Sequence, residues 1–301
     1  MKIALLVADN PYGTTATFAK GLERALILLG VEAKSHYVGE GHFFHALYDM
    51  LDDPPDCTFS FADIRGLGWN IPHFTFTLDP VLYVLHQKKG FLTAVDEKDA
   101  KFAQVPFLPH AIEPLEPMEK DIDTVFFGSC FDIEKIEREW ESHPQKEFLY
   151  EAANRVLYTD ASIIDCVQEL SLHLEIDRYV RAVDRVKLCQ QFPKLSVWGD
   201  GPWKKYLPKA TVYPAVGFEE TLKIIQRSKR LINSSPRLKA GLHERILYGW
   251  SAGCHVVTAK NRFVDGYKQG EWENITGVIG DFTPHTWEIR AQQILEVIKQ
   301  N

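Results

Sequence analysis

The feature that most restricts this chain is an alternation. Short apolar runs of strand length take turns with helical patterns, in two series along the 301 residues. Residues 2–8 are apolar enough for a strand buried on both faces. A turn follows at Asn10-Pro11-Tyr12-Gly13, after which Thr14 or Thr15 can cap a helix that runs to about Leu29 and ends at Gly30. Residues 31–38 resume as a strand, which completes a βαβ opening. Strand-like runs recur at 57–62, 73–77, 91–95 and 105–108. Near residue 110 the texture changes, because Pro109, Pro114 and Pro117 sit among acidic residues and read as a linker. The second series holds strands at 124–127, 195–198, 211–213, 231–233 and 254–258. Helices are expected at 132–141, 218–228, 242–252 and 285–300, with two or three more within 146–191. Strands alternating with helices predict parallel sheets covered on both faces. The length suits two domains of ordinary size. The expectation is α/β with two Rossmann-like domains, residues 1–118 and 119–301.

Composition narrows the function. Apolar residues make up 45% and charged residues 25%, a globular balance. The formal net charge is -7 and no basic block occurs, which argues against a nucleic-acid partner. The apolar start is too short for a signal peptide and Asp9 interrupts it. No apolar run reaches the length of an integral membrane segment, so a cytoplasmic location is expected. Cys57, Cys130, Cys166, Cys189 and Cys254 form no CxxC pair; they read as buried free thiols rather than a zinc site or disulfide framework.

In an open parallel sheet, ligands collect beyond the carboxyl ends of the strands. Three places there carry suggestive chemistry. Tyr12, Gly13 and Thr14 join a strand to a helix start, where free N–H groups favour anions. The pattern is neither a P-loop nor GxGxxG, which disfavours a dinucleotide; the alternative is an ordinary tight turn. Gly128-Ser129 ends one strand, and Gly199-Asp200-Gly201-Pro202 follows another, where small residues permit close backbone approach. The third place is Asn233-Ser234-Ser235-Pro236, followed by Lys239-Ala240-Gly241-Leu242-His243-Glu244-Arg245. Cations near a helix start oppose the macrodipole, so this arrangement suits a bound anion; the alternative is a solvated basic turn. Asp121-Ile122-Asp123 is a literal DxD, but a DxD arises easily by chance in an acidic chain, and no metal site is expected.

The segments VWGDGPW, VYPAVGFEETLKIIQRSKRLINSS and GLHERILYGWSAGCHVVT resemble the GT-B glycosyltransferases. Within them, they look like the glycosyltransferase-like proteins related to the spore-maturation protein CgeB. Arg245, Leu247, Ser251 and Gly253 occupy that family's R-x-F-E-x-x-A-x-G helix or nearly so. The first half is similar more loosely, at IPHFTFTLDP, FLTAVDEKDAKF and VPFLPHAIEP. The resemblance implies two Rossmann-like domains facing across an interdomain cleft. It implies sugar transfer from a nucleotide-sugar donor, UDP-linked, to an unknown acceptor, with neither metal nor further cofactor. The donor would meet Gly128, Ser129, Gly199, Gly201, Ser234, Leu242, His243 and the helix opening at Gly241. Its base would lie against Val216-Gly217-Phe218, and the acceptor would enter from the N-terminal domain. The family's two glutamates, eight positions apart, are replaced here by Ala240 and Tyr248, so Tyr248 stands where the donor ribose is held. Arg245 and Lys239 would neutralise the departing diphosphate. Asp79 is a candidate base, with an N-cap role beside Pro80 as its alternative. His110 is a second, with a solvated loop histidine as its alternative. A non-catalytic nucleotide- or sugar-binding homologue and a nucleotide-sugar epimerase are the competing readings.

Overall fold

The computed structural model describes residues 1–8, 10, 12–39, 43–61, 71–78, 81–85, 91–258 and 281–301. The first sheet holds β1 (Lys2–Val7), β2 (Glu32–Tyr37), β3 (Cys57–Ser60), β4 (His73–Thr77) and β5 (Leu92–Ala94), in the order β2-β1-β3-β4-β5. The second holds β6 (Ile122–Phe127), β7 (Ser196–Trp198), β8 (Thr211–Tyr213), β9 (Ser228–Asn233) and β10 (His255–Thr258), in the order β10-β9-β6-β7-β8. Each pairing within these sheets is parallel, so every connection must cross over, and the helices among the described residues flank the sheets. They are α1 (Thr14–Leu28), α2 (Phe43–Asp52), α3 (Glu97–Ala103), α4 (Ile133–Glu141), α5 (Lys146–Tyr158), α6 (Ile163–Cys166), α7 (Leu170–Gln190), α8 (Trp203–Tyr206), α9 (Phe218–Gln226), α10 (Glu244–Ser251) and α11 (Trp287–Lys299).

The chain divides into two compact units. One comprises Met1–Glu113, Gly217–Glu219 and Phe282–Asn301; the other comprises Pro114–Val216 and Glu220–Asp281. The sequence reading keeps 282–301 with the second half, whereas they cluster with the first. The reason is side-chain complementarity. α11 buries Trp287, Ala291, Ile294 and Leu295, and α1 offers Phe18, Leu22, Ala25 and Leu26. The Trp287 ring meets Phe18 and Phe61, each at 5.6 Å between centroids. Backbone bonds anchor the crossing, with Ile112 N donating to His285 O at 2.8 Å and Trp287 N to Ile112 O at 3.3 Å.

In the second unit the sheet core gathers Phe126, Val197, Ile232 and Val257 around Trp203. A helical layer packs Trp140, Leu149, Val156, Ile176 and Val180 together. All five cysteines are free, and Cys166 alone is only half-buried. Among the described residues, no helix is long and apolar enough to cross a membrane.

Local differences from the sequence reading have local causes. α1 is capped by neither threonine side chain. Gly13 stands at its start with φ +72°, Asn10 Oδ1 accepts from Thr14 N at 3.0 Å, and Thr15 Oγ1 donates to Ala8 O. Residues 105–108 make only an isolated bridge, Ala94 to Phe107, beside Pro106, which has no N–H to give a ladder. α10 opens at Glu244 rather than Leu242, because His243 is still extended.

Candidate functional site

In the second sheet, strand order reverses between β6 and β9. The chain leaves β6 through Gly128-Ser129 and β9 through Ser234-Ser235, so these two turns edge the crevice where such sheets take ligands. Gly128 has φ +150°, and its turn is held by side chains. Three successive carbonyls each accept from one: Phe127 O from Arg245 Nη1 at 2.7 Å, Gly128 O from Trp203 Nε1 at 3.0 Å, and Ser129 O from Arg185 Nη1. No hydrogen bond to the N–H or hydroxyl of Ser129 is formed among the described residues. On the facing turn, Ser234 Oγ donates to Asp184 Oδ2 at 2.6 Å. Asn233 Nδ2 bonds Ser235 Oγ at 2.9 Å and Thr258 Oγ1 at 3.3 Å.

Positive charge concentrates here. Arg245 is the second residue of α10, and its charge lies near Arg185 and Arg237. Burial lowers the pKa of the Arg185 guanidinium to about 9, and the charges of Arg181, Arg245 and Arg237 push the same way, with Asp177 opposing. Arg245 is lowered too, first by burial, with Glu244 opposing and Arg237 reinforcing. His243 is lowered by burial, although Glu244 raises it. Its Nδ1 lies 2.8 Å from Glu244 Oε2 and 3.3 Å from Arg245 N. One ring nitrogen cannot donate to the first and accept from the second. The Arg245 N–H is aimed at Nδ1, so this contact caps the start of α10 when Nδ1 carries no proton.

The other expected residues fall differently. Lys239 donates to Val156 O at 2.6 Å and Thr159 O at 3.3 Å, at the carboxyl end of α5, where a cation complements the dipole. Tyr248 and Leu242 have no exposed surface, and Gly241 is buried. Gly199 and Gly201 meet neighbouring backbone: an added Cβ would lie 2.1 Å from Gly128 O and 2.0 Å from Cys130 O respectively. Val216 lies in the second unit, whereas Gly217 and Phe218 lie in the first. There Phe218 N donates to Tyr12 O at 2.7 Å, and its ring meets Phe18 edge-on at 5.7 Å. Tyr12 is exposed, and Gly13 and Thr14 are half-buried at the start of α1. His110 is not a solvated loop residue. It is 4% exposed, set among Phe18 and Phe76, because the segment carrying it is clamped by α11. Asp79 and Pro80 lie outside the described residues. Asp121 forms a two-nitrogen ion pair with Arg227, and Asp123 lies 3.9 Å from Arg230.

Sequence reasoning missed Arg185, Arg181 and Arg237, whose positions depend on tertiary approach. It also missed a ladder of stacked rings. Phe127, Trp198 and Tyr213 are paired residues at the ends of β6, β7 and β8, with centroids 5.5 and 4.6 Å apart. The signal was present, since each of three consecutive strands ends in an aromatic.

No protein-family model matches the chain, and no curated protein matches it by sequence. Solved structures do. The chain is similar to AviGT4, a glycosyltransferase involved in avilamycin A biosynthesis, at 12% identity and a TM-score of 0.58, over 100% of this chain and 98% of that one. It is similar to a sucrose-phosphate synthase from Thermosynechococcus elongatus at 9% identity and a TM-score of 0.53, over 100% and 98%. At such identities the likeness shows the fold: α/β of the GT-B type, with two five-stranded parallel sheets.

Proposed function

We propose that this protein is a glycosyltransferase that moves a sugar from a nucleotide-sugar donor, UDP-linked, to an acceptor without a divalent metal. The observation that carries the reading is the convergence of Arg245 and the Gly128 turn at the switch point of the second sheet. The fold likeness to two enzymes of sugar chemistry and the CgeB-like pattern around Arg245 support it. In this reading the donor diphosphate lies among Ser129, Ser234 and the start of α10. Arg245 exchanges its bond to Phe127 O for phosphate oxygens. Negative charge grows on the diphosphate as the sugar departs, so fixed donors here lower the barrier more than they tighten ground-state binding. Guanidinium charge takes the place that a metal ion would fill, and the DxD aspartates are engaged with arginines on the strand-entry side of β6. The acceptor is read at Tyr12, Gly13 and Thr14, at the start of α1.

The buried state of His110 favours the non-catalytic alternative, in which the nucleotide is bound and not turned over. One experiment separates the two readings. UDP is titrated calorimetrically into the protein with and without chelator, and release of UDP from UDP-sugars is followed in parallel. Chelator-insensitive binding is expected. Arg245→Ala should weaken it by about tenfold to a hundredfold, the worth of a hydrogen bond to a charged group. Turnover should fall by roughly a hundredfold to a thousandfold. Binding without any UDP release would select the non-catalytic reading, and absence of UDP binding would remove both.

A further inference from the structure

Among the described residues, Arg185 is a buried cation without an ion-paired carboxylate. It lies on α7, 8% exposed, and none of the carboxylates among the described residues forms an ion pair with it. The nearby acids are engaged elsewhere, with Asp177 pairing Arg181 at 2.7 Å and Asp184 accepting from Ser234. Arg185 has one bond, from Nη1 to Ser129 O, and its Nε is buried with no partner. A buried, unpaired guanidinium is costly, and a neutral side chain of similar size could pack the same space. Its surroundings show what would offset that cost. The guanidinium stands against Gly128, with Cζ and Nη1 each 3.4 Å from the point where a Cβ would sit. Arg245 holds the carbonyl on the other side of the same glycine. Two forks thus flank one glycine at the reversal of strand order, beside the unbonded N–H and hydroxyl of Ser129. The charges of Arg181, Arg237 and Arg245 press on Arg185 with the same sign. An anion entering this turn would relieve that repulsion and take up the open Nε.

We propose that Arg185 is a diphosphate-binding residue, the counterpart of Arg245 across Gly128, so that the site selects two linked phosphates over one. The inference rests on the nucleotide-sugar reading above and adds a residue from a different helix to it. One fork at each side of the turn matches the two phosphoryl groups of a diphosphate, since each guanidinium can grip two oxygens. A monophosphate would engage one fork and leave the other against its carbonyl.

The test compares UDP, UMP, uridine and inorganic pyrophosphate by calorimetric titration of the wild-type chain, Arg185→Met and Arg185→Gln. The methionine variant removes the charge and the donor. The glutamine variant removes the charge but keeps a polar N–H on a shorter side chain, so a loss shared by both variants is read on the charge. Both should weaken UDP and pyrophosphate by about tenfold to a hundredfold. Uridine binding should stay within about twofold, and UMP should lose less than UDP. Because an unpaired buried charge is removed, the methionine variant should unfold at the wild-type temperature or above it. UDP and pyrophosphate affinities within twofold of wild type in both variants would overturn the role of Arg185 while leaving the nucleotide-sugar reading intact. A wild-type chain that binds pyrophosphate through Arg185 but no uridine nucleotide would uphold the anion site and sink the nucleotide-sugar reading.

Discussion

Gly201 shows how one residue can point at a ligand and answer to something else. Its φ is +104°, and a methyl group there would stand 2.0 Å from Cys130 O. Cys130 N donates to Asp200 O at 2.8 Å, and Gly128 N donates to Trp198 O at 3.0 Å, so the turn after β7 is tied to the turn after β6 at two points. The GxG therefore holds Gly128 in place from behind. Gly201→Ala meets both a strained backbone and a clash with an immobile carbonyl. It should cost about 3 kcal/mol or more, read as a lower urea midpoint at unchanged slope. A wild-type midpoint would show that the turn yields, and with it the tie between the two turns. Legibility at this scale was partial. The place of Arg245 at a helix start beside a small polar turn was readable, because such an arginine is unusual against the dipole. Lys239 looked equivalent in sequence, and its bonds to carbonyls at the end of α5, 80 and more residues away, are announced by no local pattern.

Among elements, periodicity was the reliable signal, and partner choice was not. The ten strands of the described residues, and the helices that periodicity marked, lie near where apolar pattern, glycine and proline put them, since burial on a sheet face or helix stripe dictates that pattern. The partner of the last helix was hidden, because an apolar stripe does not say which surface will cover it. The contact between α1 and α11 turns on Gly21, where a Cβ would stand 2.3 Å from Trp287 Cδ1. In an exposed helix, Gly→Ala gains up to about 1 kcal/mol. Here overpacking against a buried, rigid ring costs about 1–3 kcal/mol and more when the ring cannot move. Trp287 is 2% exposed and boxed by Phe18 and Phe61, so the second effect should win. Gly21→Ala should lose about 1–2 kcal/mol by chemical denaturation. Joined to Trp287→Leu, it should cost less than the sum of the two single changes. Strict additivity would mean that α11 does not rest on this face of α1.

Over the whole molecule, burial has set aside three histidines in both compact units. His36 in the first, and His173 and His243 in the second, are each lowered in pKa, with burial the first cause in every case. A histidine lowered in the folded chain stays neutral there, whereas unfolding returns it to about 6.5. Above that pH neither state binds the proton and the group is neutral toward folding. As pH falls through about 6.5 toward the lowered native values, the unfolded chain takes up protons first, and stability declines. General charge repulsion does not compete in this window. The formal charge is only -7 at pH 7, and the isoelectric point near 5.9 puts the smallest net charge inside it. Asp132, held down to about 2 by Lys205 and Tyr206, titrates well below the window. Asp184 acts the other way, because burial raises it and its protonation favours the folded chain as pH falls. Urea midpoints at pH 7, 6 and 5 should therefore drop progressively. His173→Leu should flatten the slope by about one proton's worth, roughly 1.4 kcal/mol per pH unit where that histidine is titrating only in the unfolded chain. Midpoints constant from pH 7 to 5 would mean that burial does not hold these imidazoles neutral in the folded chain.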